Sequence, residues 1–229
     1  MNAAPLRDPY YAPAATPASV AAFMGIVYRW MAIGLALTGG VAAIVASSPQ
    51  LAMLILGTNL MWLLLIAQFV MVVVFSRSVR KVGFGTAATM FAVYCAMSGL
   101  TFSVFFLVYS TTSLALAFWV TGGTFAAMSA YGTLTKNDLS SWGSMLFMGL
   151  IGVIIAGVAN FFLHSSALGY LISAISVLVF TGLTAYDTQK IRTLALSGDN
   201  RLALAGALEL YLDFVNLFIA LLRLFGRRR

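Results

Sequence analysis

The sequence predicts an all-α integral membrane protein, a single bundle of seven transmembrane helices with the C-terminal helix central. Three observations carry this. Hydrophobic residues make up 62% of the chain and charged residues only 8%, whereas soluble domains are nearer half apolar and about a quarter charged. Apolar runs of about 20 residues, the length that crosses a bilayer, recur between short polar turns. The last run carries a carboxylate near its centre, and in hydrocarbon such a group has to face the bundle interior, a partner or water.

Taken in order, residues 1–22 are rich in Pro and Ala, with Pro5, Pro9, Pro13 and Pro17, and read as a disordered tail ahead of one domain spanning 23–229. They lack the basic stretch and short apolar core of a cleaved secretory signal. Spans are expected at about 25–46, 51–75, 84–108, 114–134, 142–163, from 168 into the Asp187 region, and 202–225. Arg29 and Trp30 act as interfacial anchors of the first span, and Ser47-Ser48-Pro49 ends it. Asn59 and Gln68 are the only amide side chains of the second. Tyr109–Ser113, Lys136-Asn137-Asp138 and His164-Ser165-Ser166 supply later turns.

Basic residues follow the second, fourth and sixth spans (Arg77/Arg80/Lys81, Lys136, and Lys190/Arg192/Arg201), and the loops after the first, third and fifth contain none. By the positive-inside bias the N-terminus and the basic loops are cytoplasmic. The net charge of +7 reflects those loops and not nucleic-acid binding. The last run is either re-entrant or a full seventh crossing; its length favours the crossing, which places Arg227, Arg228 and Arg229 outside. Ala32, Ala36 and Gly40, and again Gly152 and Ala156, fall at four-residue spacing, a pattern that lets helix backbones approach.

Little of the remaining chain points to chemistry. Cys95 is alone, which excludes an internal disulfide or a cysteine metal cluster and makes it a small core residue. His164 has no second His or Cys nearby and reads as a surface residue. Gly122-Gly123 lacks nucleotide-loop spacing and reads as packing, and no hydrolase, zinc-protease or phosphate-loop motif occurs. No cofactor and no enzymatic activity are expected.

The acidic residues are the informative set, because there are six in all. Asp8 lies in the tail, and Asp138 and Asp199 lie in loops where water suffices. Asp187 sits one turn before Lys190 near the inner end of the sixth span, so pairing with Lys190 or Arg192 is one reading. Asp213 is some eleven residues from either end of its run. Glu209 precedes it by one turn on the same face, and Asn216 continues the polar edge. Measured by helix rise, Asp187 and Asp213 differ in depth by about 10 Å, so their pairing calls for a tilted or shifted last helix.

The segments Thr184-Ala185-Tyr186-Asp187-Thr188-Gln189-Lys190-Ile191 and Leu210-Tyr211-Leu212-Asp213-Phe214-Val215-Asn216-Leu217-Phe218 resemble the paired C-terminal motifs of the Bax inhibitor-1, or transmembrane Bax inhibitor motif, family. The order of spans and the basic loop after the second match nearly the whole chain, the tail excepted. The resemblance implies six helices wrapped around the last one, in a bacterial member of a family described as pH-sensitive calcium leak channels. It implies that Asp187 and Asp213 are the pH-sensing pair and a calcium-binding locus on the ion pathway, with Glu209 nearby. It also implies a basic latch from the second helix, for which Arg77 and Arg80 are the candidates. In place of the acidic residue expected within the second span stands Gln68, which weakens the case for a calcium site on that helix.

Two carboxylates in a dry site cannot both ionise cheaply, so such a pair retains a proton, and proton number becomes a switch. Ionised, the pair attracts a hard cation such as Ca²⁺ or a basic latch. Two other readings stand beside the channel. A non-conducting regulator would bind other membrane proteins and keep the carboxylates for structure. An intramembrane aspartyl protease would use the two aspartates to activate water, but Asp213 lacks the flanking glycines of that class and no proline follows Pro49. The expected surroundings are a lipid bilayer, calcium ions and a bacterial inner membrane.

Overall fold

The computed structural model describes residues 16–197, 199–227 and 229. The first helix, α1, runs Pro17–Ser47. It starts earlier than the sequence suggests, because Pro17 suits the first helical turn and the Thr16 side chain accepts from Ser19 N at 3.2 Å. Residues 17–22 are thus helix, not tail, and the rest of the expected tail, 1–15, lies outside the described residues.

The expected second span is two helices, α2 (Pro49–Leu56) and α3 (Leu60–Ser78). Thr58 makes the break by donating to Leu54 O at 2.6 Å while its hydroxyl accepts from Leu60 N at 3.2 Å. It closes one helix and satisfies an end of the next. Then follow α4 (Phe84–Val108), α5 (Thr111–Leu134), α6 (Ser140–Leu163), α7 (Ser166–Leu194), a 3₁₀ turn at Ala195–Ser197, and α8 (Arg201–Phe225). Ser110 and Ser165 cap α5 and α7 through backbone N–H groups of Ser113 and Leu168. His164 adopts φ 51° where α6 ends, and its N–H donates to Asn160 O at 2.8 Å, as a left-handed helix terminator does. Among the described residues, seven of the eight helices, all but α2, are long and apolar enough to cross a membrane.

The last helix is the core. In its most apolar 18-residue window 67% of α8 is buried, against 39% at most for any other span. Helices α1, α4, α5 and α7 pack on it directly, while α3 is carried by α4 and α6 by α7. The wrapping is therefore two-layered. The outer helix α6 presents Ile151, Ile155, Val158 and Phe162 outward, the surface expected of a helix facing hydrocarbon.

The two ends of the bundle are defined by polar contacts. At the basic end, Gln189 accepts from Leu139 N at 2.8 Å and donates to Asn137 O at 2.9 Å. Arg192 donates to Thr133 O, and Arg201 to Val82 O at 3.4 Å. The loops after α3, α5 and α7 therefore meet at one end. At the other end Ser110 N donates to Arg227 O at 3.2 Å and Arg229 N to Val108 O at 2.9 Å. The chain thus finishes beside the α4–α5 turn, and α8 traverses the whole bundle.

Close approaches occur elsewhere than the small-residue rows suggest. Ala32, Ala36, Gly40 and Gly152 are exposed, and Gly122 and Gly123 have open space around them. Spacing alone does not say which side of a helix meets protein, because in hydrocarbon a small residue costs nothing when exposed. The true contacts are Gly34 against Phe91 and Cys95, and Gly132, where a Cβ would stand 2.3 Å from Ala185 O. Cys95 is fully buried there. Gly132→Ala is accordingly expected to push α5 off α7 and cost about 1–3 kcal/mol, while Gly122→Ala leaves stability unchanged or raises it. Denaturation of the two variants in detergent checks this.

Candidate functional site

Helices α7 and α8 form an antiparallel hairpin whose connection is centred near Asn200. Residues equidistant from that centre face each other: Asp187 and Asp213 each lie thirteen positions from it. Lys190 meets Glu209 by the same rule to within one position, and nearer the connection Ile191 packs against Gly206. Asp187 and Asp213 are neighbours across the hairpin. The depth difference inferred from span ends disappears because α7 continues to Leu194, a full two turns beyond Asp187.

The cation seated on these carboxylates is Lys190. Its Nζ lies 3.7 Å from Asp187 Oδ1 and 3.0 Å from Glu209 Oε2. Asp213 sits deeper, 4% exposed, and its Oδ2 is a buried side-chain oxygen without a hydrogen-bond partner. Arg192 is used elsewhere, on Thr133 O. Asn216 donates to Leu212 O at 2.8 Å within its own helix. Arg77 ends α3 and Arg80 follows it, both exposed at the basic end. Among the described residues neither makes an ion pair with Asp187 or Asp213, and Arg80 instead adds its charge near Asp199.

The loop acids behave as solvated groups. Hydrogen bonds from Arg201 hold the Asp199 carboxyl below the ordinary carboxylate range, and the Ser140 hydrogen bonds do the same for Asp138.

A cavity of about 940 Å³ runs along α8, lined on that helix by Glu209, Asp213, Asn216, Ala220 and Arg223. Helix α7 adds Asp187, Lys190, Ser173 and Ser176, α4 adds Tyr94, and α3 adds Gln68. Gln68 accepts from Ser98 Oγ at 3.2 Å and donates to Thr101 Oγ1 at 3.4 Å, so the amide in the second span is anchored to α4. Among the described residues no group of three or more His, Cys, Asp and Glu is clustered to hold a metal ion. Asp187, Glu209 and Asp213 line one stretch of the cavity.

The register of Asp213 is set from the opposite face of α8. Tyr211 is fully buried, with its ring edge-to-face against Phe91 and Tyr94 at centroid distances of 6.1 and 5.9 Å. Thr38 Oγ1 donates to Cys95 O at 2.9 Å, so the Tyr211 hydroxyl donates to Thr38 Oγ1, 2.7 Å away. Sequence reasoning took Tyr211 only as part of a motif and passed over Arg223. The signal for Arg223 was its place on the Glu209–Asp213–Asn216 stripe, continued at helical spacing. Tyr211→Phe removes one buried donor and is expected to cost about 1 kcal/mol, read as lowered thermal stability in detergent, with the bundle still folded.

Comparison with known proteins shows the family. The family model described as "Inhibitor of apoptosis-promoting Bax1" matches residues 20–229. The chain is 47% identical over 221 residues to "Inner membrane protein YbhL" of Escherichia coli K12, covering 93% of this chain and 94% of that protein. It is 43% identical over 214 residues to a protein of Deinococcus radiodurans, with 91% and 92% of the two chains covered. Against a protein of Borreliella burgdorferi it is 40% identical over 214 residues, covering 90% and 92%. With the family model covering nearly the whole chain and relatives at 40–47% identity over nine-tenths of it, the chain belongs to the Bax inhibitor-1 family of integral membrane proteins.

Proposed function

We propose that this protein is a pH-sensitive cation leak channel of a bacterial inner membrane, with calcium as the ion it passes. The observation that carries the reading is the cavity along α8, in which Asp187, Glu209 and Asp213 line one wall and Lys190 bridges two of them. A membrane-spanning chain with few charges has spent half its carboxylates on one path, and intramembrane carboxylates that face a cavity mark ion routes. Calcium is the ion the family resemblance implies, and carboxylate oxygens suit a hard divalent cation. The inner-membrane location follows the name of the Escherichia coli relative, and the basic end is taken as cytoplasmic by its charge, with the N-terminus on that side.

In this reading Asp187 and Asp213 share protons, and Lys190 is the lever. With the acids ionised, Lys190 is held across the inner mouth and competes with an entering cation. Protonation slackens that hold and opens the mouth, so mild acidification raises flux. The charged and titratable groups that line the cavity with the pair are Tyr186 and Lys190 from α7, Glu209 and Arg223 from α8, and Tyr94 from α4, while α3 and α6 contribute neutral side chains. The family is not one of known enzymes, and no catalytic step is invoked.

The test is calcium entry into liposomes holding the purified full chain, followed with an enclosed dye across neutral and mildly acidic pH. Asp187→Asn and Asp213→Asn are each expected to abolish the pH dependence, and a pH response unchanged in both variants would overturn the sensor assignment. Lys190→Gln is expected to raise flux at neutral pH several-fold and flatten its rise on acidification. Absence of wild-type flux at every pH would favour the non-conducting regulator.

A further inference from the structure

Resting on that channel reading, we infer that Arg223 is the charge that controls cation selectivity at the end of the pathway opposite Lys190. A second cavity, of about 630 Å³, occupies that end and is lined by Tyr109, Asn160, His164, Tyr170 and others. It shares two residues with the long cavity along α8, Ser173 and Arg223. Ser173 turns its hydroxyl back to Gly169 O at 2.9 Å. Arg223 is therefore the charged group where the two spaces meet.

Its position is set by the helix. Arg223 follows Asp213 by ten residues on the stripe that lines the path, a separation of about 15 Å along the axis. Unlike Lys190, it has no compensation: it is exposed and has no hydrogen-bond or ion-pair partner among the described residues. Asp138 and Asp199 belong to loops at the basic end, and Asp187, Glu209 and Asp213 lie along the path towards it. Among the described residues, the other charged side chains at the Arg223 end belong to Arg227 and Arg229, whose backbones are pinned beside Val108–Ser113.

An unpaired guanidinium at the junction of the two cavities repels cations in proportion to their charge. A divalent ion is opposed twice as strongly as a monovalent one, so the logarithm of the flux change on removing the charge is twice as large. The carboxylates deeper in the cavity attract calcium, and Arg223 limits how readily calcium reaches them from this end. The pathway is then bracketed by two cations of different kinds: Lys190, held by carboxylates and releasable, and Arg223, permanent.

The experiment measures calcium and potassium flux through liposomes carrying the full-length protein. Arg223→Gln is expected to raise calcium flux about tenfold and potassium flux about threefold, because the Coulomb term scales with ionic charge. Arg223→Lys is expected to stay near wild type in both. Arg223→Cys, modified after reconstitution with a cationic thiol reagent, is expected to regain the wild-type ratio, and an anionic reagent to raise calcium flux further. The wild-type chain, whose sole cysteine Cys95 is fully buried, serves as the reagent control. This last arm reads charge on already folded protein. An unchanged calcium-to-potassium ratio in Arg223→Gln and in both modified forms, with pH-dependent wild-type flux intact, overturns the role of Arg223 and leaves the leak channel standing. No wild-type flux under any condition overturns both.

Discussion

A carboxyl group held in hydrocarbon has to be given company, and that requirement organises this protein. Asp213 lies mid-way along the most buried helix. Neither lipid nor the aliphatic core can solvate it, so the surrounding architecture supplies what water would: Asp187 across the hairpin, Glu209 one turn away, Lys190 between them, and a cavity alongside. The opposite face of α8 is aromatic and aliphatic, with Tyr211 wedged between Phe91 and Tyr94 and tied to Thr38. One face of a single helix fixes position while the other keeps charge beside the cavity.

The division of labour among the helices follows. Helices α1, α4, α5 and α7 contact α8 and carry the close approaches, such as Gly132 on the Ala185 backbone. Helices α3 and α6 are held at second hand and show most of their surface to lipid. They form one wall of the long cavity, and towards the opposite end they touch through Trp62 and Phe161 at a centroid distance of 5.8 Å. The wall of the cavity that is least tied to the core is therefore the one made by these two helices.

Much of this was legible in the residues. The apolar runs and the alternation of basic and uncharged loops anticipated both the seven spans and the sorting of the loops to two ends, because hydropathy and span length answer to the same bilayer. Asp187, Asp213 and Glu209 stood out since an acid in an apolar run has few inexpensive explanations. The break between α2 and α3 did not stand out, because Thr58 ends one helix and begins another through a hydroxyl bond that apolar composition does not register. The rows Ala32–Ala36–Gly40 and Gly152–Ala156 misled, because small residues are acceptable both against a helix and against lipid.

What the sequence by itself determined is the class of protein, the number of spans and which acids lie within apolar runs, since these depend on transfer energies that each residue carries with it. What only the tertiary structure decided is who meets whom. The hairpin centred near Asn200 brings Asp187 level with Asp213, seats Lys190 and not an arginine of α3 on the carboxylates, and leaves Arg223 alone where two cavities join. Those pairings depend on the length of α7 past the membrane-like run and on the register of two packed helices, and a one-dimensional pattern contains neither distance.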